Sequence, residues 1–102
     1  MKKVFISHPF ADDPICNPKK ANAICQRLIE YEDNILPISP LHLFGYLSSD
    51  EGVRDDIMDV CFRMLDICDE VYFYKYGELS AGQCLELQYS MENHIPYKII
   101  PK

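Results

Sequence analysis

The chain has 102 residues, 48% of them hydrophobic and 25% charged, the balance of a soluble globular protein. Its formal net charge of −6 argues against a surface for polymeric nucleic acid, which is held by clustered Lys and Arg, but not against one nucleotide held at a helix N-terminus. The length fits a single domain over residues 1–102, and a chain this short gains from burying further surface in a homodimer. No apolar run approaches a membrane span. Five cysteines, an odd number, and no secretory leader in "MKKVFISHPF" point to a reducing, cytoplasmic location. Cys25, Cys61, Cys68 and Cys84 fall in apolar periodic segments and read as small core residues.

Val4–Ser7 reads as the first strand, and the Pro- and Asp-rich "SHPFADDPICNP" as a loop. Asn17 followed by Pro18 reads as a helix cap with proline at the first helical position. Ala21, Ile24, Cys25, Leu28 and Ile29 carry that helix to about Tyr31. Asp33 and Asn34 mark a turn, and Ile35–Ile38 is a second strand despite Pro37. The aromatic, apolar connection "SPLHLFGYLSS" packs over a pocket or a partner, with His42 as a lid residue. A second helix starts near Ser49 with the stripe Val53, Ile57, Val60, Met64, Ile67, and with Asp56, Asp59, Arg63 and Asp66 opposite. Asp59 and Arg63 are spaced to pair. Asp69–Tyr74 is the third strand, Ser80–His94 the third helix with His94 as its C-terminal cation, and Tyr97–Ile100 the fourth strand.

Strands alternating with helices imply an α/β fold with parallel pairing, helices on both sheet faces, and Val4–Ser7 and Asp69–Tyr74 central. Ligands in such sheets bind beyond the carboxyl ends of the strands, where the loops over residues 7–17, 39–49 and 75–82 meet. The third helix opens there. Its N-terminus offers unpaired N–H groups, Ser80 is a good cap, and Gly82 leaves room for close approach. Its apolar stripe is Ala81, Cys84, Leu87, Met91 and Ile95, which sets Glu86 nearly opposite, in line with Gly82. Glu86 is then either a solvated outer residue or a carboxylate facing a cleft. Tyr76 is placed to stack on a base. Three dispersed His residues without nearby Cys or Asp spacing give no metal site, and no cofactor is expected.

"ELSAGQCLELQYSMENHIPYKII", with its Ser-x-Gly-x-x-x-Glu spacing, resembles the C-terminal signature of the nucleoside 2-deoxyribosyltransferase superfamily. "KKVFISHPF" resembles that superfamily's opening strand and loop, and "RMLDICDEVYFY" its passage into the signature. The likeness spans nearly the whole chain and is strongest to short bacterial and phage members, which share an "ISPLHLF"-like stretch. It implies a flavodoxin-like or Rossmann-like three-layer sandwich with a four-stranded, or five-stranded, parallel sheet. It also implies cleavage of an N-glycosidic bond in a nucleoside or nucleoside 5′-monophosphate, by a hydrolase or a transferase. Glu86 then matches the nucleophile, and Ser80 the serine that binds a phosphate or 5′-hydroxyl. Ser7, His8, Pro9 and Phe10 of the first loop, with Gly82 and Tyr76, complete the substrate-binding set.

Two positions depart from the pattern. Cys61 stands where enzymatic relatives carry an Asp, eight residues before Asp69, and His8 stands where they tend to have Gly. Asp56 and Asp59 are near Cys61 in sequence but on other helix faces. Three readings remain open: a glycosidic-bond enzyme, a non-catalytic module that binds a nucleotide-derived small molecule, and an interaction protein with a vestigial cleft.

Overall fold

The structure, a computed structural model, describes residues 1–10, 13, 15–41 and 51–102, with the backbone alone for 51–56. Its elements run β1 (Lys2–Ser7), α1 (Cys16–Tyr31), β2 (Ile35–Ile38), α2 (Glu51–Asp66), β3 (Glu70–Lys75), α3 (Ala81–Glu92) and β4 (Tyr97–Pro101). The four strands form one parallel sheet in the order β2-β1-β3-β4. The fold is α/β with β1 and β3 central, as the alternating pattern implies. His42 and the start of the second helix at Ser49 lie outside the described residues.

Strand alternation divides the core in two. Val4, Ile6, Ile35, Tyr72 and Tyr74 face one way and meet Ile24, Cys25 and Leu28 of α1. Phe5, Val71 and Phe73 face the other way and meet Cys61 and Leu65 of α2 and Leu87 of α3. Beyond α1, the first face is covered by lysine stems: the Lys98 and Lys102 ammonium groups sit 5.4 and 5.6 Å from the ring centres of Tyr72 and Tyr74. Both prolines within strands, Pro37 and Pro101, fall on the edge strands β2 and β4. There a missing N–H breaks no ladder on both sides, so Pro37 is compatible with a strand.

Several local expectations are corrected. Asn17 does not cap α1; it is buried and its Nδ2 donates to the Phe10 carbonyl at 3.3 Å. Asp13 does the capping instead, with Oδ1 accepting from the Cys16 N–H at 3.1 Å. Val60 of α2 and Ile67, one residue past its end, are exposed while Cys61 and Leu65 are buried, so the inward face is rotated from the expected stripe toward Ile57, Cys61 and Leu65. Arg63 pairs with Asp66 (3.4 Å) rather than Asp59. It also donates to the Tyr89 hydroxyl at 3.3 Å, which in turn donates to Asp66, so the α2–α3 contact pulls Arg63 forward along its helix. Phe62 stacks on Tyr89 at the same contact, with centroids 4.4 Å apart.

On α3 the expected stripe is also displaced. Ala81, Cys84 and Met91 are exposed, and the buried positions are Gln83, Glu86 and Ser90. Cys84 is therefore a surface cysteine, not a core one. His94 lies beyond the helix, exposed, at φ 56°, after the C-cap Asn93.

The rotation of α2 is testable. Leu65→Ala removes a fully buried side chain and should cost about 2–5 kcal/mol. Ile67→Ala, at a position 59% exposed, should change stability by less than about 0.5 kcal/mol. Urea unfolding of both variants measures this, and the opposite ranking would restore the sequence-derived stripe.

Candidate functional site

The site lies at the carboxyl ends of β1 and β3, over which α3 begins. Ser7 has the parity of Phe5, so its side chain points to the face that α3 covers. Its hydroxyl donates to Glu86 Oε1 at 3.0 Å, joining residues 79 positions apart. Ser7 is fully buried and Glu86 only 6% exposed. Glu86 is thus neither the solvated outer residue nor a freely exposed cleft acid. It is a buried carboxyl under the mouth of the sheet.

Burial disfavours the charged form and pushes the Glu86 carboxyl up to about 7, while the Ser7 hydrogen bond pulls the other way. Cys61, on α2, faces the same region. Burial first and the Glu86 charge second push its thiol up to about 12, so it stays neutral near pH 7. Asp59 is exposed and lies on the side of α2 toward Tyr89.

The N-terminus of α3 is closed by a capping box. Ser80 Oγ accepts from the Gln83 N–H at 3.2 Å, and Gln83 Oε1 accepts from the Ser80 N–H at 3.0 Å. Gln83 Nε2 also donates to the carbonyls of Ser7 (3.1 Å) and Tyr74 (2.8 Å). Gln83 was not among the sequence-derived candidates. The signal that could have found it is the Ser-x-x-Gln spacing of Ser80 and Gln83. Gly82, beside it, has open space: an added Cβ there would meet nothing within 4 Å.

His8 is buried and Pro9 with it, while Phe10 is partly covered. His8 Nδ1 sits 2.8 Å from the Pro9 carbonyl, which can only accept, so Nδ1 carries a proton. In the neutral ring Nε2 is then an acceptor, and the Tyr76 hydroxyl donates to it at 2.9 Å. The rings meet edge-on, and the Lys20 ammonium stands 5.2 Å from the centre of the Tyr76 ring. The structure therefore groups the candidates into two linked sets, Ser7–Glu86–Gln83–Ser80 and His8–Tyr76, at neighbouring strand ends. Among the described residues, no group of three or more His, Cys, Asp or Glu is placed to hold a metal ion, and no helix is long and apolar enough to cross a membrane.

A doubly wound α/β domain with a buried carboxyl at the carboxyl end of its central strands is the class that this geometry defines. Residues 2–100 match the family described as a domain of unknown function, DUF7768, and the chain belongs to that family. No curated protein matches the sequence. Among solved structures, it is similar to the 2-desoxiribosyltransferase from Leishmania mexicana, with a TM-score of 0.75 and 15% identity over 99% of this chain and 65% of that one. The chain thus spans just under two thirds of that protein's length, and at this identity the likeness shows the shared fold alone.

The raised Glu86 carboxyl has a consequence for stability. Its ordinary value is 4.5 and its folded value about 7. Between these, the native state holds a proton that the unfolded state has lost. Stability is then lost as pH rises through that window and levels off above it. Glu86→Gln removes this effect. Relative to wild type, the variant should gain roughly 3 kcal/mol between about pH 4 and about pH 8, at about 1.4 kcal/mol per unit. Denaturant unfolding at the two pH values measures the gain; a pH-independent difference would show that Glu86 ionises as an ordinary exposed acid.

Proposed function

We propose that the protein cleaves the N-glycosidic bond of a nucleoside or nucleoside 5′-monophosphate, with Glu86 as nucleophile. One observation carries this reading: a buried carboxyl, braced by Ser7, one turn inside a helix whose Gly82 faces open space. The fold shared with a protein described as a 2-desoxiribosyltransferase supports it.

In this mechanism Ser7 holds Oε1 of the ionised Glu86, and Oε2 attacks the anomeric carbon. The bond to the base breaks, and the base leaves with the bonding electron pair and takes up a proton. The glycosyl ester is then cleaved by water, which yields the free sugar and a proton, or by a second base, which yields a new nucleoside. The α3 N-terminus and Ser80 receive the 5′-hydroxyl or phosphate, Gly82 leaves space for the sugar, and the His8–Tyr76 pair flanks the base. A homodimer belongs to the proposal, with exposed Val60 of α2 and Ile67 just past its end on the candidate surface.

A second reading is favoured by Cys61. A neutral thiol that ionises only near 12 is a poor proton donor to a leaving base. On that reading the domain binds a nucleotide-derived small molecule without turning it over.

Incubation with a panel of nucleosides and 5′-monophosphates, followed by chromatography for free base and mass spectrometry for bound ligand, separates the two. Wild type should release base, with kcat/KM rising with pH through about 7 as Glu86 ionises. Glu86→Gln should lower the rate by several orders of magnitude with little loss of affinity. Equal rates for wild type and Glu86→Gln would exclude the nucleophile; ligand bound without base released would establish the binding module.

Gly82→Ala gives an independent test of where the sugar lies. The new methyl group meets no protein atom, and alanine is the better helix former by about 1 kcal/mol. The variant should therefore fold at least as stably as wild type and yet bind the ligand more weakly. Unchanged binding, by calorimetry, would place the sugar elsewhere.

A further inference from the structure

We propose that Gln83 is a positioning residue, whose carboxamide fixes the Ser7 backbone and so aims the Ser7 hydroxyl at Glu86. The proposal deepens the reading of Glu86 as nucleophile and rests on it for its kinetic consequence, though not for its geometry.

A carboxamide has two N–H donors and an acceptor oxygen. Gln83 uses both kinds: Nε2 donates to the Ser7 and Tyr74 carbonyls, and Oε1 accepts from the Ser80 N–H. The orientation is forced, because a flipped amide would set its oxygen against two carbonyls and its N–H₂ against an N–H. The side chain is 1% exposed, so water does not substitute for it. No isosteric replacement preserves the set. Glu would bring an oxygen against the two carbonyls, and Met offers neither donors nor a comparable acceptor.

The two ends of this link are the two ends of the site. Ser7 is the last residue of β1, and beyond it the chain leaves the sheet. Its carbonyl is held by Gln83, and its hydroxyl holds Glu86. Gln83 and Glu86 stand three apart on the buried side of α3. One helix thus supplies both the carboxyl and the group that sets the carboxyl's brace. Ser90, a turn further on, turns its hydroxyl to the Glu86 carbonyl at 2.8 Å and makes no part of the brace. Among the described side chains of α2, the titratable group that senses the Glu86 charge is Cys61.

The test is the titration of the Glu86 side-chain carboxyl, followed by carbon NMR in the full chain. Ser7→Ala deletes a bond that favours the charged form, so the Glu86 midpoint should move upward. Gln83→Met should move it in the same direction. The double variant should move it no further than Ser7→Ala alone, because Gln83 acts through Ser7. Where base release is measurable, Gln83→Met should lower kcat by roughly tenfold to a hundredfold with KM little changed.

A merely structural Gln83 gives a different pattern: lower stability, an unmoved midpoint and additive effects. That pattern overturns the proposal. If wild type releases no base, the nucleophile reading fails, while the titration still decides the positioning role. If Gln83→Met does not fold, Gln83→Asn keeps the amide but shortens its reach, and should shift the midpoint upward too. In wild type, the Gln83 Nε2 protons should exchange far more slowly than those of exposed Gln88; equal exchange would also overturn the proposal.

Discussion

Two backbone carbonyls, those of Ser7 and Tyr74, fix where α3 sits over the sheet. Ser7 and Tyr74 lie at or next to the ends of neighbouring parallel strands, in the buried middle of the sheet. Each carbonyl needs a donor, because a buried polar group left unpaired costs about 1–3 kcal/mol. One glutamine side chain supplies both. To reach them, α3 must begin directly over β1 and β3, with Gln83 turned inward. Helical geometry then turns Glu86 and Ser90 inward as well. The polar lining of α3 therefore follows from how the strands end. It places a carboxyl where an open α/β sheet offers its ligand site.

This explains which parts of the molecule could be read from the sequence. The strands were legible because short β-branched and aromatic runs alternate with helical periodicity, and their order fixed the parallel sheet. The inward face of α3 was not. Counting apolar residues selects Cys84 and Met91, but the helix buries Gln83 and Glu86 because their polar groups are satisfied by strand ends and by Ser7. Val60 on α2 and Ile67 just past it are as apolar as Leu65, and only the packing against Phe5, Val71 and Phe73 distinguishes them. Ser80, Gly82 and Glu86 could be named from their spacing. The Ser7–Glu86 bond could not, since nothing local joins residues so far apart. Gln83 could have been found from its capping-box spacing, but only as a cap; its hold on two strands is a property of the fold.

Cys61 gives the site its electrostatic character. A carboxylate there would face Glu86 in a low-dielectric space, and the two charges would compete for one proton. A thiol avoids that competition. Glu86 is then raised by burial rather than by a neighbouring charge, and Ser7 is the group that moderates it. In the mechanism proposed above, Cys61 is a poor donor to the departing base.

The prolines of the edge strands carry a last consequence. The Lys102 N–H bonds back to the Lys75 carbonyl, so along β4 the alternate residue, Pro101, turns its nitrogen to the open side. An incoming strand would find no donor at that position, and at Pro37 on β2 one donor fewer than a continuous ladder requires. Among the described residues, both borders of the sheet are thus interrupted and its two inner strands are not. This protects against runaway strand addition between molecules during synthesis and at high concentration, and it steers self-association away from sheet extension and toward the helical faces.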